Sequence, residues 1–415
     1  MAASDFYDDL ETRDPRAREA ANMAALAEQI ANAKANSAWY AKTLKDIDPA
    51  EITSRAALAQ VPVTRKHELI KLMADDPPMA GLNAVPLEAA ALIFTSPGPI
   101  FEIATERTDG YGTARAFHAA GVRRGDIIHN SFSYHLTPGA WILHMGARAL
   151  GCPVIPAGVG NSEQQVAVMA QIRPRVYAGT PDYLGTLLEK GDELGLDLSS
   201  IELAVVGGGP LFPQQRAAYK ERGITTYQTF ATAELGNIAH ETPAMEGMTI
   251  SEDKIVEVLV PGTGEPVAMD GDVGEMVVTT LNPDTPLIRF ATGDLTAVLP
   301  GASTCGRTNM RIKGWMGRAD QTTKVRGMFV HPEQVAEVVK RHGEIVKARL
   351  VVDAVGGKDV PAFRVEVAGG GDDALAGAIA QTFQSVCKVR GTVEFVAPGS
   401  LPNDGKVIDD VRKFD

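Results

Sequence analysis

The chain has 415 residues, 45% of them apolar and 22% charged, with a formal net charge of -12. That length exceeds one ordinary core and predicts two or three domains. The acidic balance excludes a nonspecific nucleic-acid binder, which needs cations to neutralise phosphates; no apolar run approaches bilayer length.

The N-terminal stretch MAASDFYDDLETRDPR is acidic and lacks an apolar core, the pattern of neither a secretory signal nor a transit peptide. Cys152, Cys305 and Cys387 lie far apart and offer no disulfide framework. A reduced, cytoplasmic enzyme or binding protein, in no contact with membrane or nucleic acid, is therefore expected. Asp14-Pro15 reads as an N-cap followed by proline at the first helical position. With Met23, Leu26 and Ile30 at helical spacing, it predicts a long amphipathic helix to about residue 45.

From residue 90 short β-branched runs (ALIFTS, DIIHNSF, CPVIPAG, RVYAGT, ELAVVGG, TTYQTFA) alternate with helix-like segments such as AWILHMGARALG and YLGTLLEKGDELG. This α/β alternation predicts βαβ crossovers and a mostly parallel, doubly wound sheet. Ligands of such sheets bind beyond the carboxyl ends of the strands, so the loops leaving each strand are the ones to inspect. Residues 247–300 read instead as strands joined by Gly and Pro turns, an antiparallel β unit. Beyond about residue 318 a βαββαβ-like order suits a small α+β lid. The expected division is a large domain over 1–318, with its β-rich part at about 245–317, and a lid over 319–415.

The post-strand loops are GGGPL at 207–211, FATAELG at 230–236, RFATGDL at 289–295 and GRADQTTKVRG at 317–327, with a tail LPNDGKVIDD at 401–410. In this order and spacing they resemble the adenylate-forming enzymes, and among them the phenylacetate–coenzyme A ligase-like branch. The resemblance covers nearly the whole chain. It implies ATP, Mg2+ and coenzyme A as cofactors, and possible assembly as a homodimer.

Residue by residue, the resemblance implies an adenine site at Gly208, Gly209, Pro210, Phe230, Ala231 and Thr232. A flat ring suits flexible glycine backbone on one side and an aromatic on the other; the residues alone equally allow Phe230 as a core aromatic. Glu234 resembles the acidic magnesium ligand, since a carboxylate beside a triphosphate needs a hard cation between them. Read alone, it fits a surface carboxylate at a helix N-terminus. The family hydroxyl before this glutamate is Ala233 here, with Thr232 next door as a substitute. Asp294 resembles the acceptor of the ribose hydroxyls and Arg318 a guanidinium donor to the same region; Asp294 after Gly293 also suits a turn. Asp320 resembles the hinge between an adenylating and a thioester-forming pose, with Lys324, Arg326 and Gly327 on the coenzyme A side of the second. Lys406 resembles the lysine that reaches the α-phosphate, where displacement at phosphorus needs charge stabilisation. Tyr134, His135 and Gly207 are the candidate acyl-pocket residues, for an aromatic or other compact acid.

Two departures stand out. FTSPGPI at 94–100 occupies the place of the family's phosphate loop and keeps Thr95, Ser96 and Gly98. It lacks the lysine, and Pro97 and Pro99 each delete a backbone donor; Arg107 is a candidate to compensate. The four positions matching a structural zinc site of a related group are Thr242, Thr249, Ser303 and Cys305, which excludes zinc on ligand chemistry. The expected activity is an ATP-dependent, AMP-forming acid–coenzyme A ligase. The alternatives are an adenylating enzyme with an amine or carrier-protein thiol as acceptor, and a non-catalytic nucleotide- or acyl-CoA-binding regulator.

Overall fold

The protein is described from a computed structural model, over residues 5–96, 99–260, 264–267, 269–319, 321, 323–367, 369–402 and 407–412. Its contacts divide it into two units: Met1–Gly208 with Ala218–Met316, and Gly209–Ala217 with Gly317–Asp415.

In the first unit, Asp14 caps the opening helix, Pro15–Asn36, by accepting from the backbone N–H groups of Arg16 and Ala17. The helix stops short of the expected residue 45. Ser37 is extended, ends the first helix, and caps a second, Ala38–Thr43, through the N–H of Tyr40. Its hydroxyl also donates to the Gly81 carbonyl at 2.7 Å. A short hydroxyl side chain offers the backbone this alternative to continuous helix. Met23, Leu26 and Ile30 face the core as their spacing predicts.

A nine-stranded sheet forms the centre of this unit. Its parallel part runs, in spatial order, Val154–Pro156, Ile128–Asn130, Val176–Gly179, Leu203–Val206 and Thr225–Thr232. The inner strands are buried throughout, as parallel strands covered by helices must be. At Thr225–Thr232 the direction changes. That strand pairs antiparallel with Gly236–Glu241, which pairs with Met248–Ile250 and so on to Arg311–Ile312 and Val298–Leu299.

Two sequence expectations are corrected here. ALIFTS does not begin the parallel sheet; among the described residues Leu92–Ser96 pairs only with Ile100–Ala104, as an antiparallel hairpin. Its half-exposed, alternating burial contrasts with the continuous burial of the parallel strands. The run from 247 to 300 is not one β unit either. Lys254–Leu259, Gly274–Thr280 and Phe290–Thr296 form a separate antiparallel sheet, with Thr64–Arg65 added parallel at its edge, while the strands at 248–250 and 298–299 join the large sheet.

Arg289 ties this second sheet to the N-terminal segment. Its buried guanidinium grips Glu257 with two bonds of 3.0 Å and donates to the carbonyls of Ala59, Val61 and Gly264. All five of its N–H donors are thereby used. The backbone of Thr64 donates to the Arg289 carbonyl, and helix Lys66–Asp75 follows directly.

The second unit has a four-stranded sheet in the order Thr392–Val396, Lys358–Val367, Ile345–Val355, Ile408–Asp410. Helices Pro332–Arg341 and Asp373–Cys387 bury Val335, Val338, Ile379 and Phe383 against Leu350 and Phe363. The tail, read from sequence as a loop, supplies a strand parallel to the long central one, with Leu350 opposite Ile408.

Candidate active site

The chain places Glu234 on the tight connection between Thr225–Thr232 and Gly236–Glu241, at the carboxyl end of the last parallel strand. It is not at a helix N-terminus. Gly236 makes this turn possible: its φ is +70°, and a Cβ there would meet Tyr111 at 2.8 Å. The Glu234 carboxylate is 2% exposed and sits 2.7 Å from the ammonium of Lys66, the first residue of helix Lys66–Asp75. Burial pushes its pKa up, but the Lys66 charge, with hydrogen bonds from its own N–H and from the Thr232 hydroxyl, leaves it below the usual carboxylate range. The Thr232 hydroxyl accepts from the Leu235 N–H at 3.2 Å.

Glu102, on the hairpin strand Ile100–Ala104, joins the same cluster. Burial and the nearby Glu234 charge hold its pKa well above the usual range, while Lys66 acts in the opposite direction. One carboxylate oxygen accepts from Ser96 Oγ at 3.1 Å. The other is buried and, among the described residues, has no hydrogen-bond partner; the Tyr111 hydroxyl shares that condition. Glu102, Glu234 and Tyr111 line a cavity of about 60 Å³ walled by Leu69, Met73 and Leu287.

The Thr95 N–H donates to the Leu136 carbonyl at 2.8 Å, and Ser96 is paired with Ile100 across the ladder. The Thr95 N–H is thus engaged by the loop at Leu136 and Ser96 by its partner strand; Gly98 lies outside the described residues. Arg107, the candidate to compensate, ion-pairs with Asp284 at 2.7 Å.

Asp294 lies within the strand Phe290–Thr296 rather than in a turn. A bulge opposite Glu275 and Val277 holds Gly293 at φ +74°, and the next residue, Asp294, accepts from Trp315 Nε1 at 3.0 Å. Phe230 is 9% exposed and packs in the core of the first unit. Gly207 follows the buried strand Leu203–Val206, and a Cβ there would meet Thr229 Oγ1 at 2.7 Å. Gly208 follows with φ +68°, and Ala231, opposite Asn237, continues the strand from Phe230.

Tyr134 is half-buried; its hydroxyl accepts from Asn130 Nδ2 at 3.0 Å and lies 3.1 Å from His144 Nδ1. Trp141 meets the same ring edge-on at 5.3 Å. The histidine of this cluster is therefore His144, whereas His135 is exposed. Neither Tyr134, His135 nor Gly207 lines the cavity at Glu102.

In the second unit, Arg318 is partly buried, as are Gly209 and Pro210. Arg326 and Gly327 form the turn of the hairpin Thr323–Val325 with Met328–Val330, at φ +48° and +84°. Such a pair of left-handed residues matches the strand twist. The Arg326 guanidinium donates to the carbonyls of Asp359 and Arg390, and Lys324 lies over the Phe329 ring at 5.5 Å. The hinge candidate Asp320 and the tail candidate Lys406 lie outside the described residues.

Near the former zinc positions, Cys305 is 3.2 Å from Ser303. Burial raises its thiol pKa, but hydrogen bonds to Ser303 and Thr242 outweigh that and leave it lowered. Thr249 is buried in the adjoining strand.

Sequence reasoning missed Lys66, Glu102 and His144. The one available signal was Glu102, a charge inside the otherwise apolar run IFEIA.

No family model matches the chain. Among curated proteins it is 34% identical over 347 residues to the phenylacetate-coenzyme A ligase of Thermus thermophilus, covering 79% of this chain and 77% of that protein. It is 32% identical over 339 residues to the ligase of the same name from Aromatoleum evansii, covering 78% and 75%. Among solved structures, 2-hydroxyisobutyryl-CoA ligase with 2-HIB-AMP and CoA in its thioester-forming state superimposes with a TM-score of 0.84 at 25% identity, covering 100% of this chain and 94% of that one. The fold and its loops define an adenylate-forming enzyme. Within that class, the chain belongs to the phenylacetate–coenzyme A ligase family.

Proposed function

We propose that the protein is an acid–coenzyme A ligase acting through an acyl-adenylate, with an aromatic or other compact carboxylic acid as substrate. The relationship to curated ligases over three quarters of their length carries this reading. A carboxylate oxygen attacks the α-phosphorus of ATP, and the bond to the bridging oxygen of pyrophosphate breaks. The thiol of coenzyme A then attacks the acyl carbon, its proton leaves to solvent or a base, and AMP departs.

Asp294 is the proposed ribose acceptor, oriented by Trp315, with Arg318 as a donor to the same region. Gly208, Gly209, Pro210, Phe230, Ala231 and Thr232 are the proposed adenine-side residues. Lys406 is the proposed cation at the α-phosphate, Asp320 the proposed hinge, and 319–415 the proposed mobile lid. Lys324, Arg326 and Gly327 are proposed on its coenzyme A side. The oxygen donors at Glu234 suit Mg2+, a hard cation; when bound, it would offset the charge of the triphosphate.

Pyrophosphate exchange into ATP across a panel of aromatic acids tests the reading. Acid-dependent exchange without coenzyme A is expected, as is loss of exchange in Lys406→Ala with thioester formation from supplied acyl-adenylate largely kept. Equal loss of both steps contradicts the two-pose assignment. A second reading, a nucleotide- or acyl-CoA-binding regulator, draws on the engaged groups of Thr95 and Ser96; absence of exchange with any acid, alongside tight AMP binding, favours it.

A further inference from the structure

Two carboxylates, Glu102 and Glu234, face one cavity and one ammonium. They come from different hairpins, and Lys66 comes from a helix, so the grouping is built by the fold rather than by neighbouring sequence. A structural ion pair needs one carboxylate per ammonium. Here the second carboxylate keeps one oxygen buried and unpartnered among the described residues, next to a Tyr111 hydroxyl in the same condition. Buried polar atoms are rarely left so, and an exception calls for a ligand. Its other oxygen is fixed by Ser96, as ligating carboxylates commonly are by an outer hydrogen bond. The space, about 60 Å³, fits a small ion with a water. Leu69, Met73 and Leu287 also line it, and the low polarity of such neighbours strengthens charge–charge attraction.

We propose that Glu102 is the second carboxylate of a divalent-cation site whose first is Glu234, with the Lys66 ammonium as the counter-ion that an entering cation displaces. The proposal deepens the ligase reading on which it rests. It gives the hairpin that stands at the phosphate-loop position a different role, in which Ser96 and Glu102 hold a metal rather than a phosphate. Hard oxygen donors favour Mg2+ or Mn2+ over softer metals.

The test is titration of the full-length protein with Mn2+ alone, free metal being read by electron paramagnetic resonance, without nucleotide, acid or coenzyme A. One site is expected in the wild type. Glu102→Gln weakens it by about tenfold or more, and Lys66→Met strengthens it by a similar factor because the competing ammonium is gone. A purely structural Lys66–Glu234 pair predicts the reverse for Lys66→Met. No Mn2+ site in the wild type, wild-type affinity in Glu102→Gln, or weaker binding in Lys66→Met overturns the proposal. Should Glu102→Gln not fold, Glu102→Asp takes its place, and wild-type affinity with the shortened carboxylate overturns it equally. Acid-dependent pyrophosphate exchange would survive any of these results, so failure here is distinct from failure of the ligase reading.

Discussion

Arg289 offers the sharpest quantitative test of how the first unit is held together. Arg289→Met keeps much of the side-chain volume but removes five hydrogen bonds, two of them to Glu257, whose side chain is 7% exposed. Breaking a buried pair from one side leaves an uncompensated charge and costs about 3–5 kcal/mol. The carbonyls of Ala59, Val61 and Gly264 also lose their donor, so the upper end of that range is expected. Removing both charges in Arg289→Met/Glu257→Leu spares the stranded carboxylate and should recover about half of the loss. All three tryptophans, Trp39, Trp141 and Trp315, belong to the first unit. Urea unfolding followed by tryptophan fluorescence therefore reports on this unit without assuming that the whole chain unfolds in one step. A loss below about 1 kcal/mol in the single variant, or a double variant no better than the single, would refute the reasoning.

Other consequences follow from individual contacts. His240 is buried, and burial, with Arg307 and Arg115, lowers its pKa to about 3. The unfolded chain then binds more protons below the ordinary histidine range, so stability should fall as pH drops from about 6.5 toward 3, and His240→Asn should flatten that fall in acid denaturation curves. Trp315→Phe deletes the bond to Asp294, worth about 1 kcal/mol, and should weaken AMP binding by about fivefold in calorimetry; unchanged affinity argues against Asp294 as the ribose acceptor. Gly207→Ala places a Cβ 3.1 Å from the Thr229 carbonyl as well as against its hydroxyl, and overpacking of that kind should cost about 1–3 kcal/mol in thermal or urea unfolding.

Sequence by itself determined the alternation of strands and helices from residue 125 to 232, because continuous β-branched runs and 3.6-residue periodicity are local signals. It also singled out Glu234 and Asp294 in the segments that carry the family resemblance, although Asp294 lies within a strand and not in the expected loop. The same reasoning put Leu92–Ser96 into the parallel sheet, since a strand's partner is chosen by distant residues that its own pattern does not name. It carried the first helix past Ser37 because the Gly81 carbonyl that rewards the break lies 44 residues away. It passed over His144, whose partner Tyr134 sits across a turn, in favour of the neighbouring His135. What only tertiary structure decided is the company each charge keeps. Glu102 and Glu234 stand 132 positions apart in the chain, yet the fold brings both to one cavity and sets the Lys66 ammonium 2.7 Å from Glu234. There, exclusion of water makes their charges answerable to one another.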